Sequence, residues 1–286
     1  MFDILIALIP AITWGSIVLV SVKLGGSPAN QVLGLTIGAF LFAIGAYFFV
    51  QPDLSWKAIT ISFISGAFWS LGQKNQFGAV EYLGVSKAVP VSTGMQLVAT
   101  SLFGVLIFEE WLTKMKIMIG ITALICIIVG VVFTSIEEKD QGGDNDKNQF
   151  TKGMIILLIS TLGYLVYVII LRWFEIDGWS AILPQAVGMI AGALLLTIKD
   201  KPFDKYTVRN ILTGLIWATG NIGLLLSVPR VGVATSFSFS QMGIIISTFG
   251  GIFLLGEKKS KRQMVFVIIG SILIILGGVL LGYTKK

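Results

Sequence analysis

The chain has 286 residues, of which 55% are apolar and only 13% charged, whereas soluble domains carry roughly a quarter charged residues. That balance excludes an ordinary soluble domain and points to a membrane protein. The net charge of +6 does not make a nucleic-acid binder, because the Lys and Arg residues are scattered through short segments between apolar runs, where they set orientation in the bilayer.

In chain order, uncharged stretches of bilayer-spanning length occupy 4–22, 24–52, 88–108, 117–136, 153–171, 178–198, 210–229, 231–256 and 263–284. A further run, 58–73, is interrupted by Lys74, yet small and apolar residues continue to Tyr82, which reads as a helix carrying an intramembrane or snorkelling lysine. Ten transmembrane helices in an all-α membrane protein are therefore expected. Closed β-barrels are excluded, since their strands are shorter and alternate in character. The first run has only Phe2 and Asp3 ahead of it and no clear small-residue cleavage site before Lys23, so it is read as a span and not as a signal peptide. Pro10, Pro90, Pro184 and Pro229 fall within or at the ends of spans, where neighbouring helices can satisfy the freed carbonyls. Cys126 is the single cysteine, so neither an intramolecular disulfide nor a zinc site is expected. The stretch IEEKDQGGDNDKNQFTK at 136–152 is polar and acidic with basic ends, as a solvated linker would be.

The two halves repeat. A constant offset of 148 residues aligns Thr13 with Thr161, Gly15 with Gly163, Lys57 with Lys205, Gly66 with Gly214, Trp69 with Trp217, Gly72 with Gly220, Thr100 with Thr248, Glu109 with Glu257 and Gly130 with Gly278. Each half holds five expected spans, and an odd number forces the second half to enter from the opposite side of the bilayer. Two inverted five-helix repeats follow, at 1–135 and 152–286, joined by a polar linker at 136–151. Such repeats mark secondary carriers, which expose a midplane site to each side in turn. Of the 21 Lys and Arg residues, fourteen sort to the face of Lys23, Lys74, Lys87 and Lys258, and seven to the face of Lys57, Lys114, Arg172 and Arg230. The positive-inside rule puts the first face in the cytoplasm and both termini outside.

Polar side chains inside the spans locate the expected pathway, because each needs a partner in hydrocarbon. The candidates for substrate binding are Trp14 and Ser16 in the first span, Trp69 and Gln73 in the third, and Ser92, Thr93 and Gln96 in the fourth. The second half adds Tyr167, beside Tyr164, in the sixth span, Gln185 in the seventh, Trp217 and Asn221 in the eighth, and Ser238 and Gln241 in the ninth. Amides and hydroxyls that both donate and accept, set beside aromatic faces, suit a neutral ligand with many hydroxyls and apolar C–H faces. A sugar is such a ligand. An anionic substrate would ask for Arg or Lys and a cationic drug for a carboxylate, and the central thirds of the spans hold neither. Glycines and serines four apart, such as Gly34 with Gly38 and Gly66 with Ser70, read as helix-packing faces. Glu109, Glu110 and Glu257 at span ends read as solvated interface anchors, with a gating salt bridge as the alternative.

No GxxxxGK[ST] loop is present, so ATP does not drive the chain directly, and no cofactor is expected. With no histidine in the sequence, a proton relay would need a carboxylate. The nearest candidates are Glu81 and Asp3, neither of them deep; Glu81, beyond Lys74 at the cytoplasmic end of the third span, is the one taken for proton coupling, against a loop-stabilising pair with Lys74 or Lys87. An intramembrane enzyme would need a paired nucleophile and base or a metal cluster, which the spans lack. The competing transport reading is an exporter of amino acids or other small metabolites with the same ten-helix architecture.

AITWGS at 11–16 and LGQKNQFGAVEYLGVSKAVPVSTGMQLVATSLFGVLIFEEW at 71–111 resemble the glucose uptake proteins of the bacterial glucose/ribose porter family, within the drug/metabolite transporter superfamily. The matching motif positions are Trp14, Gly15, Gly72, Gln73, Gly84, Ser92, Thr93, Gly94, Gln96 and Glu109. The resemblance spans the whole chain. It implies a drug/metabolite transporter-like fold and proton-linked import of a monosaccharide, glucose first, across the bacterial plasma membrane, with sugar, protons and membrane lipid as partners.

Overall fold

The computed structural model describes residues 2–109, 111–136, 144–231, 236 and 239–284. Ten α-helices and no strand occur among them. They are α1 (Phe2–Leu24), α2 (Pro28–Val50), α3 (Trp56–Leu83), α4 (Val85–Phe108), α5 (Lys114–Ser135), α6 (Asp144–Trp173), α7 (Gly178–Thr197), α8 (Lys205–Val231), α9 (Gly243–Phe249) and α10 (Lys261–Thr284). A 3₁₀ turn, Ile198–Asp200, follows α7, and α9 runs on into a π-helical turn, Gly250–Leu254.

Side chains at the boundaries set where several helices begin. Ser27 and Asn30 form a reciprocal capping box ahead of α2, with Pro28 in its first turn. Asp177 accepts from the Trp179 and Ser180 N–H groups at the start of α7, Asp204 from Tyr206 and Thr207 at α8, and Thr113 from Lys116 at α5. Gly84, the cap residue of α4, has φ +73 and no side chain to offer.

Eight helices are long and apolar enough to cross a membrane: α1, α2, α4, α5, α6, α7, α8 and α10. The chain is a multi-pass membrane protein. The third and ninth expected spans do form helices of other proportions. α3 covers 28 residues but carries Lys57, Lys74, Gln76 and Glu81, which dilute its apolar character. The ninth expected span, 231–256, appears as the shorter apolar helix Phe239–Leu254, ended by the π turn and by Gly256 at φ +72. Residues 137–143, in the expected linker, lie outside the described residues.

The contacts group the chain into two compact units, each drawing on both halves of the sequence. One comprises Met1–Leu19, Ala79–Ile155 and Thr219–Lys286. The other comprises Val20–Gly78 and Ile156–Ala218. In both, glycine allows backbones to touch. In the second unit α2 meets α8, where a methyl at Gly38 would lie 2.0 Å from the Ile211 carbonyl oxygen and one at Gly214 2.0 Å from that of Leu35. There α3 likewise meets α7, with 2.0 Å from a methyl at Gly66 to the Gln185 oxygen and 1.9 Å from one at Gly188 to the Phe63 oxygen. In the first unit Gly15 of α1 faces Gly243 of α9, and Gly130 of α5 faces Gly270 of α10. The stretches Gly34 with Gly38 and Gly66 with Ser70 are packing faces, as expected: Gly34 approaches the Thr207 carbonyl, and the Ser70 hydroxyl donates to the Met189 carbonyl at 2.6 Å.

Candidate functional site

In the second unit, three helices bring aromatic faces and amides together. Trp69 on α3 is only 2% exposed. Its ring stands edge-on to Trp217 of α8, centroids 4.9 Å apart, and to Tyr164 of α6 at 6.3 Å. One turn along α3 from Trp69 lie Gln73 and then Gln76, spaced three apart and so on one helix face. The Tyr164 hydroxyl, whose single proton serves one acceptor at a time, stands 2.8 Å from Gln73 Oε1 and 3.1 Å from Gln76 Oε1. Gln73 Nε2 in turn donates to Gln76 Oε1 at 3.2 Å. The result is a neutral platform of three rings and two amides, with the Tyr164 hydroxyl and both amides hydrogen-bonded to one another.

The same unit ties Gln185 in place. Its Nε2 donates to Ser65 Oγ at 3.0 Å, and that hydroxyl donates to the Tyr167 carbonyl at 2.8 Å, joining α7, α3 and α6. Thus Tyr167 takes part through its backbone. Lys74 is tied to the neighbouring helix end: its ammonium donates to the Leu196 carbonyl at 2.8 Å and stands 3.7 Å from Asp200, closing the C-terminal end of α7. An apolar pocket at the ends of α2 and α7, lined by Tyr47, Val50, Pro52, Trp179 and Leu183 among others, includes none of the expected site residues.

In the first unit, Trp14 of α1 lies against α8, where a methyl at Gly220 would come within 2.3 Å of its indole nitrogen. Asn221, the next residue of α8, is half-buried. Ser16 spends its hydroxyl on the Thr13 carbonyl of its own helix at 2.9 Å. On α4, Gln96 donates to Ser92 at 3.0 Å, and Thr93 beside them is half-buried. Gln241 donates to Ser240 at 3.2 Å and packs its side chain on Gly278 of α10. Its Oε1 is buried with no hydrogen-bond partner among the described residues, leaving an acceptor open. Ser238 lies outside the described residues. Glu81 is exposed, and Lys74, one of its two expected partners, bonds elsewhere.

Sequence reasoning left Tyr164 and Gln76 out of the binding set. Tyr164 was visible as a polar residue inside the sixth span, and Gln76 stands three residues after Gln73 on a helix face already singled out. Glu257, expected as a solvated anchor, is instead bonded to the start of α4. Among the described residues no group of three or more His, Cys, Asp or Glu could hold a metal ion.

The model of a family described as "Sugar transport protein" matches residues 5–284. The chain belongs to this family. Sugar transport proteins of high similarity include one named "Glucose uptake protein GlcU" in Bacillus subtilis (strain 168), 59% identical over 283 residues and covering 99% of each chain. Another, named "Probable glucose uptake protein GlcU" in Priestia megaterium, is 58% identical over 285 residues, covering 99% of this chain and 100% of its own. A crystal structure 15% identical in sequence superposes with a TM-score of 0.62 over 99% of this chain and 98% of that one, a likeness of fold alone.

Proposed function

We propose that this protein imports a monosaccharide, glucose first, by alternating access, and that the Trp69, Tyr164 and Trp217 platform with Gln73 and Gln76 contacts the sugar. The observation that carries this reading is the chemistry of that cluster: ring faces for the C–H side of a pyranose, amides for its hydroxyls, and no charge. Family membership and the names of its close relatives agree with it. On their neutral hydrogen-bonding chemistry alone, Trp14, Ser92, Thr93, Gln96, Asn221, Ser238 and Gln241 are taken as further candidates for contact with the sugar.

We infer two inverted repeats, 1–135 and 152–286 about the linker 136–151, an arrangement many alternating-access carriers use. Two kinds of contact support them. Trp69 and Trp217, equivalent under the 148-residue offset, touch each other, as equivalent residues beside a two-fold axis would. The approach of α2 to α8 also has its counterpart in that of α7 to α3, since the offset carries α2 onto α7 and α3 onto α8. The reading puts the protein in the bacterial plasma membrane with both termini outside, and assigns proton coupling to Glu81, near the end of α3. A thermal-shift screen of simple sugars and amino acids on the detergent-solubilised protein tests the substrate, because a ligand that binds only the folded state raises its apparent stability. Hexoses should raise the unfolding temperature and amino acids should not; the reverse pattern would overturn the proposal.

A further inference from the structure

In the second unit, the start of α8 gathers positive charge that no acidic side chain answers. Lys199 and Lys201 stand in the turn before it and Lys205 and Arg209 on its first two turns; all four are exposed. No ion pair to any of them occurs among the described residues. The two neighbouring carboxylates are committed elsewhere. Asp200 stands 3.7 Å from Lys74, and Asp204 accepts from Asn30 Nδ2 at 2.9 Å and from the Tyr206 and Thr207 N–H groups.

Lys205 and Arg209 are drawn to a single ring. The Lys205 ammonium lies 5.2 Å and the Arg209 guanidinium 5.5 Å from the centroid of Tyr206, both within cation–π range. That ring is held by the Gly25–Gly26 turn after α1: a methyl at Gly26 would come 2.7 Å from Tyr206 Cβ, and one at Gly25 3.2 Å from Cε1. Like charges four residues apart on a helix repel. Two such cations kept over one ring, with no carboxylate beside them, are stabilised by an anion from outside the chain.

Apolar side chains continue the same face inward. Val208, Leu212 and Leu215 follow at helical spacing and are exposed, and Arg209 is the last charge before the uncharged stretch 210–229. The face thus has a cationic head and, from Val208 to Leu215, roughly 10 Å of apolar surface along the helix. A soluble anion would engage only the head of such a face, whereas a phospholipid engages both parts.

We propose that this face of α8 binds a phospholipid with an anionic headgroup, the phosphate held by Lys205 and Arg209 and an acyl chain lying along Val208, Leu212 and Leu215. Lys199 and Lys201 add to the local positive potential, which attracts anionic lipid at a membrane surface. The proposal is independent of the sugar reading, since it needs only that α8 cross a bilayer.

The test titrates phosphatidylglycerol, and separately phosphatidylcholine, into the full chain in a nonionic detergent, reading bound lipid by native mass spectrometry and the unfolding temperature. Phosphatidylglycerol should bind at severalfold lower concentration than phosphatidylcholine. Lys205→Gln with Arg209→Gln should raise its half-saturating concentration about thirtyfold, the loss expected for two surface cations. Lys258→Gln with Lys261→Gln, which removes the same charge from the first unit, should leave it nearly unchanged. Equal binding of the two lipids overturns the proposal, as do equal losses in the two double variants, which would mean that net charge alone matters. Inorganic phosphate that raises the unfolding temperature as much as phosphatidylglycerol would overturn it too, because the apolar part of the face would then contribute nothing. A further measurement needs no variant: raising NaCl from about 0.05 M to about 0.5 M should weaken phosphatidylglycerol binding severalfold by screening, and salt-independent binding would overturn the assignment to these cations.

Discussion

Replacing Tyr164 by Phe isolates one hydrogen bond at the centre of the aromatic and amide platform. The ring keeps its edge-on contact with Trp69; only the hydroxyl, the donor within reach of Gln73 Oε1 and Gln76 Oε1, is lost. Gln76 Oε1 still accepts from Gln73 Nε2, so one acceptor, Gln73 Oε1, is orphaned, and Gln73 is only 4% exposed. A buried acceptor left without a donor costs about 1–3 kcal/mol. If the amide pair must hold its orientation to meet a sugar, the same loss weakens binding by about 5-fold to 150-fold at ~1.4 kcal/mol per decade. Titration of glucose against the unfolding temperature of purified protein measures both effects, as a lower baseline and a rightward shift of the curve. A Tyr164→Phe protein with unchanged baseline and unchanged glucose dependence would refute the reasoning, since it would mean that the hydroxyl neither supports the fold nor orders the amides.

Gly188→Ala should destabilise the fold by about 1–3 kcal/mol, the range for overpacking a well-filled interior, because its methyl would meet the Phe63 backbone at 1.9 Å; Gly45→Ala on α2, with nothing within 4 Å, should stabilise by up to ~1 kcal/mol through helix propensity. Thermal unfolding of the two variants in one detergent checks the contrast, and a shift of the same sign in both would count against the close α3 and α7 approach. Gln241→Leu removes a buried acceptor that has no donor among the described residues but also the Nε2 donation to Ser240, so stability should change by no more than about 1 kcal/mol, while glucose affinity falls; retained affinity would take Gln241 out of the sugar path.

Much of the fold was legible because membrane spans announce themselves by composition. Boundaries expected at 88–108 and 263–284 fall within a few residues of α4 and α10, where an apolar run ends against charge or glycine. The third helix was harder, since Lys74 breaks its apolar run, and the reason for that lysine, capping the end of α7, lies 122 residues away. The candidate binding residues were legible as a class and not as a constellation. Polarity inside a span picks out Gln73, Trp69 and Trp217 one at a time; that Tyr164 would reach Gln73, or that Gln76 would share its hydroxyl, depends on how α3 and α6 are rotated against one another. Ser16 shows the opposite case, a polar residue whose hydroxyl is spent on its own helix. Glu257 was misread for a similar reason, because a carboxylate at a helix end is solvated unless another helix presents its N–H groups.

Glucose counterflow in proteoliposomes addresses the central claim most directly. Vesicles preloaded with unlabelled glucose should transiently accumulate labelled glucose in the presence of the protein, Trp217→Leu should slow this uptake severalfold by removing one ring of the platform, and labelled amino acids should not exchange. Amino-acid counterflow without hexose counterflow, or hexose exchange indifferent to Trp217, would contradict it.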